Sequence, residues 1–203
     1  MASHLSAYPA HVALHVIRRG RGRAACFFDE ADRAAYRRWL GRYAARYECG
    51  IHAYVLMGNH VHLLVTASTS GGIEALMRSL AARHSRFMNE VHGHKGPVWD
   101  EGFEASAVHV RRHLLACMRY IELNPVRAGL VRMPHAYPWS SFAANALGRE
   151  DALVTPHPVY CALGRTAAAR QAAYRGLFSG APIPAARTQG ARRTGPRAPS
   201  RPT

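Results

Sequence analysis

Apolar residues recur along the chain at two spacings, and the changes between them mark out the elements. Tyr8–Arg18 (YPAHVALHVIR) alternates loosely with β-branched residues, which predicts a strand. The basic turn Arg19–Arg23 (RGRGR) follows. Over Asp29–Glu48 the spacing lengthens, and Ala31, Ala35, Trp39 and Tyr43 fall on one stripe of a helix that Gly50 ends. Ile51–Met57 and His60–Thr66 are two apolar runs around Gly58-Asn59. Two turn residues that accept positive φ cheaply predict a hairpin there. Ile73–Val91 reads as an amphipathic helix, Phe103–Val110 as a strand, and Arg111–Asn124 as a helix that stops at Pro125. Tyr137–Ala146 is aromatic and turn-rich, and a weaker helix is predicted near Thr166–Phe178. This order predicts an α+β domain: a ferredoxin-like antiparallel sheet with helices on one face. Residues 1–150 would form the main domain and 151–180 a helical extension. Residues 181–203, rich in Pro, Arg, Gly and Ala, would form a disordered basic tail.

Charge narrows the partner. The 203 residues carry 27 Lys plus Arg against 12 Asp plus Glu, a formal net charge of +15. Lys95 is the only lysine. A chain this basic repels itself unless it meets a polyanion, so nucleic acid is the expected partner and an anionic membrane surface the competing one. Arginine suits phosphate because its planar fork grips two oxygens. Part of the excess is compositional, since Ala and Gly are abundant as well. Cys26, Cys49, Cys117 and Cys161 show no CxxC spacing, so neither a zinc ribbon nor a dithiol redox pair is indicated. Neither a signal-peptide stretch nor an apolar run of membrane-spanning length is present. The expected location is the cytoplasm, with activity at the bacterial nucleoid, and no membrane partner. Without a GxxxxGK[ST] loop, no nucleotide cofactor is expected.

Two groups of residues can carry chemistry. In His60-Val61-His62, strand alternation sends both imidazoles to one face and Val61 to the other, so the two rings can converge on one metal. A two-residue turn would pair Met57 with His60 and Val55 with His62. An HxH pair is equally an ordinary half-exposed strand face, and 13 histidines make chance pairs expected; His92 and His94 form another. On the helix Arg111–Asn124, Tyr120 and Asn124 are four apart and share a face, beside the apolar stripe Leu114, Cys117 and Ile121. Tyr120 taken alone reads as a core aromatic, and Asn124-Pro125 as the start of another short helix.

Together these segments closely resemble one family. HAYVLMGNHVHLLV (His52–Val65) resembles the HUH segment of the single-tyrosine transposases of insertion sequences. RYIELNPVRAGLV (Arg119–Val131) resembles the tyrosine segment of their REP-associated branch. HVIRRG (His15–Gly20), Phe28-Asp29, WDEGF (Trp99–Phe103) and YPWSSF (Tyr137–Phe142) match lesser motifs, and the resemblance runs over about residues 8–180. Gly58 stands where proline is more usual. The resemblance implies a ferredoxin-like HUH endonuclease fold with His60 and His62 on the central sheet as metal ligands. It implies Tyr120 as nucleophile and Asn124 as the third metal-coordinating side chain.

Two nitrogens and one amide oxygen suit Mn²⁺ well and Mg²⁺ acceptably, and zinc would also bind. The reaction so implied is attack of Tyr120 on single-stranded or hairpin DNA of repetitive extragenic type. It gives a 5′-phosphotyrosine and a free 3′-OH, followed by rejoining without ATP. No general base stands out. Arg18, Arg19, Arg21 and Arg23 near the first turn, Arg78, Arg83 and Arg86 on the second helix, and Arg127 are the expected DNA contacts. Trp99, Phe103 and Tyr137 are candidates for stacking on bases, with core packing the expected use of at least two. Two alternatives use the same residues differently: a phosphoesterase in which water attacks, and a non-catalytic sequence-specific DNA-binding protein. The charge itself generates a prediction. Affinity for DNA should fall linearly on a log–log plot against salt, as phosphate-bound counterions are released. A flat plot would show that the excess charge does not meet phosphate.

Overall fold

The computed structural model describes residues 8–179, together with the backbone of a two-residue strand at Arg192–Arg193. The tail expected at 181–203 otherwise lies outside the described residues. The elements to the end of the sheet are β1 (Leu14–Arg19), α1 (Glu30–Arg46), β2 (Cys49–Leu56), β3 (His60–Ala67), α2 (Gly72–His92) and β4 (Glu104–Ala107). Then come α3 (Arg111–Glu122), α4 (Asn124–Arg127), α5 (Phe142–Leu147), α6 (Pro158–Cys161), α7 (Ala167–Gly176) and β5 (Arg192–Arg193). The sheet order is β2-β3-β1-β4-β5, and all these pairs are antiparallel. The first six elements therefore make the expected ferredoxin-like βαββαβ unit.

Local sequence explains some boundaries. Asp29 caps α1 by accepting from the Asp32 backbone N–H at 2.8 Å, and Asp32 reciprocates to the Asp29 N–H at 3.3 Å. Thr166 caps α7 by accepting from the Ala169 backbone N–H at 3.2 Å, without a return bond. In the hairpin, Val55 pairs with His62 and Leu56 with Val61, and the Met57 N–H donates to the His60 carbonyl at 2.9 Å. The turn departs from expectation, because neither Gly58 nor Asn59 takes positive φ. Its shape is set by tertiary contacts instead. The Gly58 carbonyl accepts from the Cys26 and Phe27 N–H groups, and the Asn59 carbonyl from Gly20. Gly20 itself is required here, since a Cβ would collide with the Ala24 carbonyl.

Both faces of the sheet are covered. α1 and α2 lie on one face, where Tyr36, Leu40, Leu76, Met77 and Leu80 pack against Leu14, Val16, Leu56, Val61, Leu63 and Val65. This is the expected layer of helices. α3 adds a second layer on the other face: Leu114, Cys117, Met118 and Ile121 meet Ala13, Ala53, Val55, Met57 and Leu64. Residues 151–179 join that second core through Tyr160 and Tyr174. Val154 and Ser140 form isolated bridges along the outer edge of β2, which keeps it from offering an open strand. Trp99 and Phe103 are buried core residues, so neither is available to stack on a base. Cys26, Cys49 and Cys117 are buried, Cys161 is exposed, and all four are free thiols.

The second core contains a buried carboxylate. Glu122, the last residue of α3, is fully buried and accepts hydrogen bonds from Ser141 Oγ at 2.6 Å, Asn145 Nδ2 at 2.8 Å and Tyr174 Oη at 2.8 Å. It thereby ties the end of α3 to α5 and α7. Burial pushes its pKa up to about 7. In the first core His84 is enclosed by Phe27, Tyr36 and Trp99 with ring centroids 5.1–5.2 Å away, and burial lowers its pKa to about 4. His52, between Thr66 and Thr155, is lowered to about 4 as well.

These shifts oppose one another in the stability profile. A histidine whose folded pKa is depressed from 6.5 stabilises fully above 6.5 and loses that contribution as pH falls towards 4. A glutamate whose pKa is raised stabilises below 4.5 and loses that contribution as pH rises through about 7. With His15, His52 and His84 all lowered to about 4 against one raised glutamate, stability should climb from pH 4.5 and level off near pH 7. Glu122→Gln should steepen that climb. Thermal unfolding across pH 4.5–8 tests this, and a flat or falling profile between pH 4.5 and 6.5 would contradict it.

Candidate active site

Strand pairing places the candidate side chains. On β3, His60 and His62 share a face because they are two apart. Pairing with β1 sets Arg19 opposite His60, Ile17 opposite His62 and His15 opposite Leu64, so His15, Ile17 and Arg19 share that face too. It is the face that α3 covers. Tyr120, near the C-terminal end of α3, is brought down over it, partly exposed. Its ring stands edge-on to His62 at a centroid distance of 5.9 Å and to His15 at 5.8 Å. The His60 and His62 centroids are 5.0 Å apart. Asn124 begins α4 one turn beyond Tyr120. Its amide N–H donates to the Tyr120 carbonyl at 3.1 Å, and the side chain also interacts with His60. Two strands and one helix–helix junction thus converge on a patch only a few residues across.

The hydrogen bonds fix the imidazoles. His60 Nδ1 lies 2.7 Å from Asn59 Oδ1, which can only accept, so the proton is on Nδ1 and Nε2 is left as a lone pair. His62 Nδ1 lies 2.9 Å from His15 Nε2. His62 and His15 are buried and His60 is half-buried. Burial, and for His60 and His62 the nearby positive charge of Arg19, hold the pKa values of both below the ordinary histidine value. That of His15 falls to about 4 through burial. All three rings are therefore neutral near pH 7, the form in which imidazole binds metal. Nε2 of His60, the His62 ring and the Asn124 amide make a neutral nitrogen–nitrogen–oxygen donor set that fits a divalent cation.

Cations line the approach. The Arg127 guanidinium, exposed on α4, lies 4.9 Å over the Tyr120 ring. Arg19, in a 3.5 Å ion pair with Glu104, flanks His60. A groove of about 750 Å³ runs from His60 and Asn59 past Arg23 and Arg33 to Tyr137 and Trp139. Tyr137 donates its hydroxyl to the Leu56 carbonyl at 2.7 Å, leaving its ring as part of the wall. Arg21 and Arg23 are exposed beside this entrance.

Other expected DNA contacts lie elsewhere. Arg18 alternates to the opposite face of β1. Its guanidinium reaches the Met77 and Asp100 carbonyls at 3.4 Å each and lies 5.9 Å over the buried ring of Trp99. It is part of the first core, a correction that strand alternation explains. Arg78, Arg83 and Arg86 sit on α2, on the far side of the sheet from Tyr120, and Arg83 is stacked 4.7 Å over Trp39. The sequence reading assigned no role to His15 or Asn59 at this site. His15 was visible only as a motif match, and its contact with His62 spans a strand pairing that sequence spacing does not reveal.

Asp29, Asp32 and His92 also bring ligand atoms within 4.8 Å of one another. Both Asp32 oxygens, Asp29 Oδ1 and His92 Nε2 already hold hydrogen bonds. Asp32 accepts from the Phe28 and Asp29 N–H groups and from His92 Nε2 at 2.8 Å, while Asp29 accepts from the Asp32 N–H. The trio reads as the cap of α1.

Against known proteins, the sequence profile described as "Transposase IS200 like" matches residues 10–124, more than half of the chain and all four candidate positions. The chain belongs to the IS200-like transposase family. No curated protein matches its sequence. Among solved structures, the fold is similar to a REP-associated tyrosine transposase bound to a REP hairpin, with a TM-score of 0.58 at 17% identity. The match covers 77% of this chain and 93% of that one. No helix among the described residues is long and apolar enough to cross a membrane.

If the Asp29–Asp32–His92 trio is a cap, Asp32→Ala should cost about 1 kcal/mol of stability and leave Mn²⁺ affinity unchanged. Loss of a Mn²⁺ site in that variant, measured by titration calorimetry, would reassign the trio as a metal centre.

Proposed function

We propose that this transposase cleaves and rejoins single-stranded or hairpin DNA by attack of Tyr120 on a phosphodiester, at a site where His60, His62 and Asn124 hold a Mg²⁺ or Mn²⁺ ion. The observation that carries the proposal is the convergence of a phenol with two neutral imidazoles and a carboxamide on one sheet face, approached through an arginine-lined groove. When bound, the ion supplies Lewis-acid polarisation of the scissile phosphate. The chain's own residues do the rest. Arg127 and Arg19 present positive charge where the phosphate must sit, and Arg127 over the Tyr120 ring favours the developing phenolate. The α3–α4 junction holds Tyr120 over the imidazoles, so nucleophile and phosphate site are positioned together rather than by diffusion.

The balance of the step is simple. The bond from Tyr120 Oη to phosphorus forms and the P–O3′ bond breaks. The phenolic proton is lost to solvent, and the leaving 3′ oxygen takes up a proton. The product is a 5′-phosphotyrosine diester and a free 3′-OH. Because the ester is exchanged rather than hydrolysed, attack by a 3′-OH reverses the step and joins strands without ATP. The relative of similar fold is described with a REP hairpin bound, which favours structured single strands of that type as substrate. It also favours the transferase over the two other readings, a water-using phosphoesterase and a non-catalytic DNA-binding protein.

His60→Ala and His62→Ala should each reduce metal-dependent cleavage of labelled hairpin DNA by at least a hundredfold, with DNA affinity within a few-fold of the parent. Tyr120→Phe removes one oxygen and should abolish cleavage with little change in melting temperature. Persistent cutting by a folded Tyr120→Phe protein would make water the nucleophile. Absence of cutting by the parent on any hairpin would favour the binding protein.

A further inference from the structure

We propose that His15 is the positioning residue for His62: it accepts the His62 Nδ1 proton and so presents His62 Nε2 to the metal. The inference rests on the reading of His62 as a metal ligand and adds a residue which that reading does not contain. Three observations support it. His15 Nε2 and His62 Nδ1 are 2.9 Å apart, within hydrogen-bonding distance, in rings inclined by only 19°. Both side chains are nine-tenths or more buried, with exposures of 6% and 2%, so water does not compete for this bond. The contact joins two central strands, β1 and β3, whose pairing is continuous from Leu14–Val65 to Arg19–His60.

Only one proton can lie between the two nitrogens. If His15 held it, neutral His62 would carry its own proton on Nε2 and could not bind metal through that atom. If His62 donates it, Nε2 is a lone pair. His60 stands in the same arrangement, its Nδ1 held by Asn59. Each imidazole is thus anchored from behind by an acceptor, the arrangement that fixes tautomer and ring orientation in metal-binding histidines. His15 also lies edge-on to the Tyr120 ring at 5.8 Å. It therefore supports the metal ligand and the phenol from one place on β1.

The test is Mn²⁺ binding to the full chain without DNA, followed by electron paramagnetic resonance of the free ion. Parent protein and the His62→Ala, His15→Leu, His15→Asn and His15→Gln variants are compared, each with its unfolding transition recorded. Glutamine places an amide oxygen where the His15 Nε2 now stands, whereas asparagine is polar but too short. Affinity should fall 10- to 100-fold in His15→Leu and His15→Asn and return to within a few-fold of the parent in His15→Gln. Parental affinity in both His15→Leu and His15→Asn, with binding lost in His62→Ala, would overturn the role of His15 alone. So would equal losses in the asparagine and glutamine variants. Parental affinity in His62→Ala would instead remove the metal-ligand reading on which the inference stands. If His15→Leu does not fold, the asparagine–glutamine comparison decides the matter.

Discussion

The antiparallel register of β3 between β1 and β2 is the constraint on which the site depends. With a side-chain period of two, it sets His60 and His62 on the face that α3 covers and sends Val61 to the face of α1 and α2. A slip of one residue would bury the imidazoles under α1 and α2 and expose apolar side chains to Tyr120. The register is held from three directions. Apolar residues fill both faces, the outer edge of β2 is closed by Val154 and Ser140, and the turn at Gly58-Asn59 is pinned by backbone bonds from Gly20, Cys26 and Phe27.

The second requirement is a helix that brings a nucleophile to that face, and α3 meets it with unequal ends. Its apolar stripe lies on Ala53, Val55 and Leu64, while its last turn carries Tyr120 and the buried Glu122. Glu122 is bonded to Ser141, Asn145 and Tyr174, so the late helices fix the end of α3 that holds the phenol. Residues well outside the match at 10–124 therefore bear on the position of Tyr120. A buried carboxylate with three donors is costly to break, and that cost stabilises one orientation of the α3–α4 junction.

Much of this was legible in the sequence, for reasons that can be named. Period-two alternation in HVHLLVT fixed the face shared by His60 and His62, and the four-residue spacing fixed that shared by Tyr120 and Asn124. What escaped is what depends on distant pairing. The sheet's second layer of helices was missed because the α3 stripe does not say which face it will cover. Arg18 was grouped with its neighbours by charge, although alternation along β1 already separated it from Arg19. The turn was read from Gly-Asn propensity, whereas its backbone follows contacts with residues 20–27. α5 and α6 are too short for periodicity to mark, and the His15–His62 bond joins residues 47 apart.

The central claim is that Tyr120 becomes covalently joined to DNA. The most direct measurement incubates the protein with Mn²⁺ and a hairpin oligonucleotide carrying distinct labels at its two ends, then resolves the products under denaturing conditions. Mass spectrometry maps the nucleotide-bearing peptide. The account predicts that the 3′-end label alone stays with the protein, on the peptide containing Tyr120, and that the 5′-end label leaves on a fragment with a free 3′-OH. Cleavage with both labels released, or an adduct on any other residue, would contradict it.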